Sequence, residues 1–327
     1  MSRATNDRSG AVPTSGNLPL GGDTRSTAGH ALTKVPEVTL VFWIIKILAT
    51  TLGETGGDAV SMSGVPSLVE RFPWLQNFMA NTLHMEVDDF GYLVGIVLFG
   101  MVFIAAVIAQ IRARKFHPSL YWITIIATTT VGTVLADYAD RSLGIGYLGG
   151  SLILLGCVVG SLLAWYLTMG SISVKTVATA KVEIFYWVTI MFSQTLGTAL
   201  GDWTSDTPRD QMLHWVVNLF PKLQGTGIGN WMSSPEEIGF VGGVVVFGTL
   251  LAVVCGLYFW TKLSRVILFW LAFVLTRPLG AVVGDLLDKP HNQGGLALSR
   301  YIATGILVVL IVAGIWLFPQ RAAKQSH

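Results

Sequence analysis

The sequence predicts an all-α integral membrane protein with eight transmembrane helices, built from four repeated helical hairpins. Three observations carry this prediction. Hydrophobic residues make up 52% of the chain and charged residues only 12%, about half of what soluble domains carry. Eight apolar stretches are long enough to cross a bilayer, which takes about 20 residues. Four segments also repeat one motif in the same register, which indicates internal duplication.

The chain divides into two tails and one membrane domain. Residues 1–33 are rich in Ser, Thr, Gly and Pro, so we expect a disordered cytoplasmic tail. Residues 34–319 form the transmembrane domain, and residues 320–327 form a second cytoplasmic tail. The runs lack the alternation of barrel strands, so each is expected to be a helix. The predicted spans are residues 37–58, 91–111, 118–138, 146–169, 182–203, 238–260, 264–286 and 297–318.

The distribution of Lys and Arg predicts the orientation in the membrane, because basic residues collect on the cytoplasmic side. Both termini and the short basic loops share one side, while the long loops 59–90 and 203–238 lie on the other. The first side is therefore expected to be cytoplasmic. Its basic residues are Arg3, Arg8, Arg25, Lys34, Arg112, Arg114, Lys115, Lys175, Lys181, Lys262, Arg265, Arg321 and Lys324.

The repeated motif is W-x9-G-x3-[GA]-D. Its copies are "WIIKILATTLGETGGD" (43–58), "WITIIATTTVGTVLAD" (122–137), "WVTIMFSQTLGTALGD" (187–202) and "WLAFVLTRPLGAVVGD" (270–285). A second apolar helix follows each copy, so the unit is a helical hairpin and all four motif helices point the same way. The outer loop is long after the first and third copies. The domain therefore consists of two parallel halves, 34–170 and 178–319.

Each motif ends in an acid, and charge inside a membrane marks functional candidates. Four motif helices around one axis would bring Asp58, Asp137, Asp202 and Asp285 to one level, with Glu54 one turn deeper. These five residues are the predicted cation and metal ligands. Residues at i, i+3 and i+7 share one helix face, which adds a polar stripe of Thr51, Thr130, Thr133, Thr195 and Thr198. A second, outer acidic ring is expected at Asp140, Asp206 and Asp288.

Other motif positions have structural interpretations. Small residues let membrane helices approach closely, and this role is expected for Gly53, Gly57, Gly132, Gly197, Gly201, Gly280 and Gly284. The motif tryptophans form either an aromatic belt at the membrane interface or an inner gate. They are Trp43, Trp122, Trp187 and Trp270. Lys46 and Arg277 are embedded cations, and Arg277 could neutralise part of the acidic cluster.

Clustered carboxylates repel one another, so they must share protons, pair with cations or bind a metal. A site made of oxygen atoms suits Mn²⁺, Mg²⁺ or Ca²⁺, and Met62, one turn past Asp58, favours Mn²⁺ slightly. The ion is expected as substrate, with no permanently bound cofactor and no nucleic-acid partner. The alternative is that the aspartates are only solvated residues at helix ends.

The segment "KVPEVTLVFWIIKILATTLGETGGDAVSMS" (34–63) resembles the signature of a bacterial inner-membrane family described as uncharacterised membrane-anchored proteins. The resemblance covers 34–319 and implies a multi-pass protein of the bacterial inner (plasma) membrane. The repeated G-[GA]-D arrangement is also similar in style to cation exporters with duplicated hairpins, including manganese exporters. The E-x-G-D-[KR]-[ST] pattern of one such family is absent, because "ETGGDAVS" has an extra residue and no base.

These observations predict a divalent-cation transporter, and manganese export by proton antiport through the central acidic site. The sequence predicts no enzyme, but two other functions stay open. An intramembrane aspartyl-type hydrolase would use two facing Asp residues, one in a G-x-G-D context; here Thr55, Val134, Ala199 and Val282 replace its first glycine. A non-transporting membrane scaffold or sensor would be indifferent to acid-to-amide changes in any test of cation handling.

Overall fold

The computed structural model describes residues 33–323, without the side chain of Trp215. The predicted disordered tail lies outside this range except for Thr33, as do residues 324–327 of the second tail. Eight long helices fill the described part, and it contains no strand beyond two isolated bridges. The motif helices 1 to 4 are Leu40–Asp58, Pro118–Asp137, Ala180–Asp206 and Arg265–Asp288. The partner helices 1 to 4 are Val87–Arg112, Tyr147–Met169, Gly239–Trp260 and Arg300–Leu317.

The motif helices form a closed inner ring. Helix 1 packs on helix 2, helix 2 on helix 3, helix 3 on helix 4, and helix 4 back on helix 1. Each partner helix packs mainly on the motif helix of the next unit, and partner helix 4 returns to motif helix 1. The hairpin is therefore the unit of sequence, whereas the packing unit joins neighbouring hairpins. Because partner helix 4 packs on motif helix 1, the fourth unit closes the ring.

Burial separates the two sets of helices. In the most apolar stretches of motif helices 1, 2 and 4, between 50% and 72% of residues are buried, against 11–17% for the partner helices. The partner helices expose Val, Leu and Ile around much of their circumference. A helix that is apolar on its outer surface is suited to lipid. The ring thus lies inside and the partner helices form the lipid-facing layer.

The α-helical part of motif helix 1 ends at Asp58, as the predicted span 37–58 implied, but the helical path continues beyond it. A π-helical turn, Ala59–Gly64, continues it into a short helix, Val65–Arg71. Ser61 donates a hydrogen bond to the Gly57 carbonyl at 2.9 Å and supports this turn. A second π-helical turn, Tyr138–Ser142, follows motif helix 2. The long outer loops contain further short helices, Pro73–Phe78, Arg209–Leu219 and Gly227–Met232.

One end of the bundle is marked by the residues around Lys34. Its ammonium group donates to the carbonyls of Gln110 and Ile111 at 3.1 and 3.0 Å and pairs with Glu183 at 2.5 Å. Its backbone N–H donates to Val177. The segment before motif helix 1, the end of partner helix 1 and the start of motif helix 3 therefore lie together, as the hairpin topology requires.

Seven of the eight long helices are long and apolar enough to cross a membrane, so the chain is a multi-pass membrane protein. Motif helix 3 is outside this set within the described residues. It nevertheless runs from Glu183 at the Lys34 end to Asp202, which contacts Arg141 beyond motif helix 2. Its 27 residues span about 40 Å, more than the hydrocarbon thickness. Its polar side chains lie in the ring, and the count of eight crossings stays a prediction.

Candidate functional site

Glycine contacts set how closely the motif helices approach. With each motif Trp numbered as motif position 1, the glycine at position 11 faces position 8 of the next helix. A Cβ on Gly53 would collide with Thr129, and a Cβ on Gly280 would collide with Thr50. The same contact joins Gly132 to Gln194, and Gly197 to Arg277. Further along, Gly57 meets Thr133, Gly201 meets Ala281 and Gly284 meets Glu54. The glycines therefore bring four polar faces around one axis.

The four motif aspartates, at position 16, lie at one level of this ring. Asp58, Asp137, Asp202 and Asp285 are 1%, 1%, 2% and 3% exposed. They divide into two pairs, each held by one base. Lys289 lies 2.8 Å from Asp58 and 3.2 Å from Asp285. Arg141 lies 3.5 Å from Asp137 and 3.4 Å from Asp202. We call the first group the Lys289 corner and the second the Arg141 corner.

Glu54 lies one turn deeper, where Arg277 occupies the axis. Both terminal nitrogens of Arg277 donate to Glu54 Oε2 at 3.0 Å. One of them also donates to Thr133 Oγ1 at 2.6 Å and to Thr198 Oγ1 at 2.5 Å. Arg277 belongs to motif helix 4, so residues of all four motif helices meet here. Glu54, Thr133 and Thr198 stand at motif position 12, where the fourth helix has Ala281. Arg277 therefore neutralises Glu54. The sequence had not indicated which acid of the cluster Arg277 would neutralise.

The predicted polar stripe has two different environments. The hydroxyls of Thr51, Thr130 and Thr195 donate to carbonyls one turn earlier in their own helices, at 2.9–3.0 Å. Those of Thr133 and Thr198 accept from Arg277. Only the second group contacts a charged group of the ring.

The outer acidic residues have three separate neighbourhoods. Asp288 pairs with Arg300 at 3.0 Å, and Asp206 accepts from Ser205 at 2.9 Å. Asp140 lies against Gly150 of partner helix 2. Asp206 is also one residue out of register with the other two, which turns it about 100° around the helix. No described ion pair or hydrogen bond joins the three into a ring.

Aromatic rings close the Lys34 end of the bundle, which the predicted orientation makes its inner end. Three of the motif tryptophans are less than 5% exposed, and Trp43 is half-buried. The residue before each Trp is also aromatic, a signal that the sequence interpretation missed. The eight rings contact one another in a closed circuit at centroid distances of 5.0–6.3 Å: Trp43, Phe42, Trp122, Tyr121, Trp187, Tyr186, Trp270, Phe269 and back to Trp43. Tyr121 and Tyr186 also share a hydrogen bond of 2.7 Å. Most of these rings are therefore packed inside the bundle and not on its lipid-facing surface.

Lys46 lies between the aromatic layer and Arg277. Its side chain is fully buried, and its ammonium nitrogen is 4.1 Å from the centroid of the Phe273 ring. Among residues 33–323 it has no hydrogen-bond acceptor. A cation over an aromatic face is stabilised electrostatically.

An outer cavity of about 420 Å³ lies beyond the aspartates. Arg141 and Arg300 face it from the ring side, and Arg300 also contacts Met62 Sδ at 3.9 Å. Acids of the first outer loop and of partner helix 1 line it as well. The lining residues are Met62, Glu86, Asp88, Asp89, Tyr92, Arg141, Ser142 and Arg300.

Three bases that contact acids of the ring, Arg141, Lys289 and Arg300, were missed in the sequence. A signal existed for two of them: each follows a motif Asp by four residues, which places both on one helix face. Burial would lower the pKa of Lys289, but the carboxylates of Asp58, Asp285 and Asp288 hold it well above its usual range. These carboxylates therefore favour the charged form of Lys289. Arg300 begins partner helix 4, and no register predicts its contact with Asp58 at 3.9 Å.

The ring retains oxygen atoms that could bind an ion. Oxygens of Glu54, Asp58 and Asp285 lie within 4.8 Å of one another, a spacing that one ion with bonds of about 2.0–2.6 Å can bridge. Within the described range, Asp58 Oδ1 and both oxygens of Asp137 accept no hydrogen bond. Buried polar atoms without partners are rare and call for a ligand, a proton or water.

The comparisons with known proteins agree with the predicted repeat. A family model described as "Repeat of Unknown Function (DUF347)" matches residues 41–116, 120–171, 185–264 and 268–322. Each match begins two residues before a motif tryptophan, which confirms the four predicted units. Neither the curated proteins nor the solved structures contain a significant match. The four matches cover most of the chain, and the protein therefore belongs to the DUF347 repeat family.

Proposed function

We propose that the protein transports a divalent metal cation through the ring of aspartates, in exchange for protons. The observation that carries the proposal is the surplus of buried acid on the axis. Six carboxylates, those of Glu54, Asp58, Asp137, Asp202, Asp285 and Asp288, contact only four bases in the described part of the chain. No described ion pair joins the buried Lys46 to any of them. Lys289 and Arg141 are each shared by two of these acids, and a buried charge without compensation costs several kcal/mol, on the order of 3–5. Protons or a cation must compensate for it.

The layers along the axis support transport. The outer cavity is lined by Arg141 and Arg300, which contact motif aspartates, and the aromatic circuit closes the opposite end. The site is thus closer to solvent on the side of the cavity and closed on the side of the aromatic circuit. Access from one side at a time is what alternating access requires. Carboxylates that hold either a proton or a metal ion couple the two movements.

The arrangement supports transport over hydrolysis. An aspartyl dyad works because two carboxyl groups share a proton. Here Lys289 lies between Asp58 and Asp285, and Arg141 lies between Asp137 and Asp202. A base thus takes the place that a shared proton and water would need.

The finer assignments remain part of the proposal. Manganese is the first ion to test, because Met62 offers a soft sulfur atom beside the cavity. The location is the bacterial inner membrane, with both termini cytoplasmic and export as the direction of transport. The lysine and arginine distribution along the loops supports the orientation.

The test uses purified protein in proteoliposomes with a pH-sensitive dye inside. Gradients of Mn²⁺, Mg²⁺, Ca²⁺, Co²⁺ and Ni²⁺ are imposed in turn. We expect at least one ion to move with protons in the opposite direction, and Asp137→Asn to reduce the rate at least tenfold. Glu70→Gln is the matched control, because Glu70 is exposed in the outer loop. The proposal fails if all five ions cross no faster than in protein-free vesicles.

A further inference from the structure

Arg141 and Lys289 occupy equivalent positions in the two halves. Each follows the motif Asp of the second unit of its half by four residues, at motif position 20. In the first unit of each half this position holds Met62 or Asp206. The duplication has therefore placed one base at the same point of both halves.

Each of these bases crosses the boundary between the halves. Lys289 connects Asp285 of its own half to Asp58 of the other. Arg141 connects Asp137 of its own half to Asp202 of the other. The seams between motif helices 4 and 1 and between motif helices 2 and 3 are thus closed by ion pairs at their outer ends.

The Lys289 corner has more ligands than the Arg141 corner. Besides Asp58 and Asp285, an oxygen of Glu54 lies within the same 4.8 Å group. Asp58 Oδ1 is buried and accepts no hydrogen bond from any described residue. The other oxygen of Asp58, Oδ2, accepts from the Lys289 ammonium at 2.8 Å.

The sum of the charges at this corner favours competition between a divalent ion and Lys289. Arg300 also lies 3.9 Å from Asp58, but its charge is balanced by Asp288 at 3.0 Å. With Arg277 and Lys289 in place, the three carboxylates therefore retain one negative charge. Replacing Lys289 by a divalent ion leaves no net charge, whereas adding the ion beside Lys289 leaves a positive one. A net charge in a low-dielectric interior is costly, so replacement is favoured.

Lys289 is less firmly held than Arg277. Arg277 is fully buried and held by Glu54 and two threonines. Lys289 is the first residue after motif helix 4, in extended backbone, and its side chain is 11% exposed. A lysine ammonium is a point charge on a flexible stem, unlike the planar, multiply bonded guanidinium.

From these contacts we infer that the Lys289 corner is the substrate site, and that Lys289 occupies it as a tethered counter-cation which a divalent ion displaces. The inference rests on the proposed function and adds a mechanism to it. Displacement removes the ion pair that joins motif helices 4 and 1, so binding of the ion releases one seam between the halves. Return of Lys289 to Asp58 and Asp285 then expels the ion and closes the seam.

The test measures Mn²⁺ binding to purified protein by the electron paramagnetic resonance signal of free Mn²⁺. Without its competitor the corner should bind better, so Lys289→Met should lower the Mn²⁺ dissociation constant at least tenfold and slow transport. Arg141→Met should give a smaller gain, because its corner has two carboxylates instead of three. Asp285→Asn should lose binding. Arg209→Met is the control, since Arg209 pairs with Glu236 in the outer loop, and its affinity should match that of the unmodified protein.

Lys289→Arg is the control that separates loss of the positive charge from a change in side-chain packing. It keeps the charge, so it should bind Mn²⁺ no better than the unmodified protein while unfolding at a similar temperature. The inference is overturned if Lys289→Met binds Mn²⁺ no tighter than the unmodified protein, or if Lys289→Arg binds as tightly as Lys289→Met. Either result leaves the proposed function standing when the unmodified protein still transports. Absence of both binding and transport for all five ions would remove the function and the inference together.

Discussion

Arg277 and Glu54 form a fully buried ion pair in which two guanidinium nitrogens donate to one carboxylate oxygen at 3.0 Å. The pair joins motif helix 4 to motif helix 1 across the boundary between the halves. Its arginine also reaches a threonine of motif helix 2 and one of motif helix 3. One side chain therefore links the whole ring at mid-depth.

Glu54→Gln should destabilise the protein by about 3–5 kcal/mol, because it leaves the Arg277 charge buried without an acid. The double change Glu54→Gln with Arg277→Gln should recover a large part of this loss. Unfolding followed in detergent by tryptophan fluorescence measures both. Glu70→Gln, at an exposed acid, should have little effect. If Glu54→Gln unfolds like the unmodified protein, the ion pair does not hold the ring.

Trp187→Ala should open a leak through the inner end, since Trp187 is 2% exposed and contacts Tyr121 and Tyr186 in the aromatic circuit. We expect passive proton flux into proteoliposomes to rise severalfold without any metal gradient. Trp316→Ala is the matched control, because Trp316 is 85% exposed on partner helix 4. Equal leak rates for the two variants would rule out the aromatic circuit as the gate.

Gly280→Ala should weaken the ring by about 1–3 kcal/mol, because the new Cβ collides with Thr50 of motif helix 1. Gly100→Ala makes the same chemical change in partner helix 1, where nothing lies within 4 Å of the Cβ. Alanine is the better helix former, so that variant should be neutral or more stable. Thermal unfolding of the two proteins gives the comparison, and a loss of similar size at both positions would contradict close packing as the cause.

Single cysteines at Lys115 and Gln224 should be labelled from opposite sides of the membrane, after Cys157 and Cys255 are replaced. Both positions are exposed. Lys115 follows partner helix 1 at the Lys34 end, and Gln224 lies in the loop after motif helix 3. The experiment uses a membrane-impermeant maleimide on intact and opened vesicles. Labelling from the same side would mean that motif helix 3 does not cross, which defeats the eight-helix topology.

Much of the architecture could be predicted because it depends on local and periodic features. Apolar length located seven helices that can span a membrane, and their α-helical parts end within a few residues of the predicted bounds. The fixed register of Trp, Gly and Asp defined four units that the family matches confirm. Similar sequences in similar surroundings fold alike, so each motif glycine contacts the next motif helix and the four motif aspartates lie at one level of the ring. The continuation of motif helix 1 past Asp58 was missed, because no glycine or proline pattern marks a π-helical turn.

The sequence alone determined that four acids recur at one depth of a membrane protein; only the tertiary structure decided which bases neutralise them. Asp58 and Lys289 are 231 residues apart, and Glu54 and Arg277 are 223 apart. Such pairs form only when the ring closes and motif helix 4 packs on motif helix 1. Repeat register fixes the height of a side chain, because it counts residues along one helix. The partner of a side chain across a helix interface depends on how the helices are arranged around the axis. The sequence of a single repeat does not specify that arrangement.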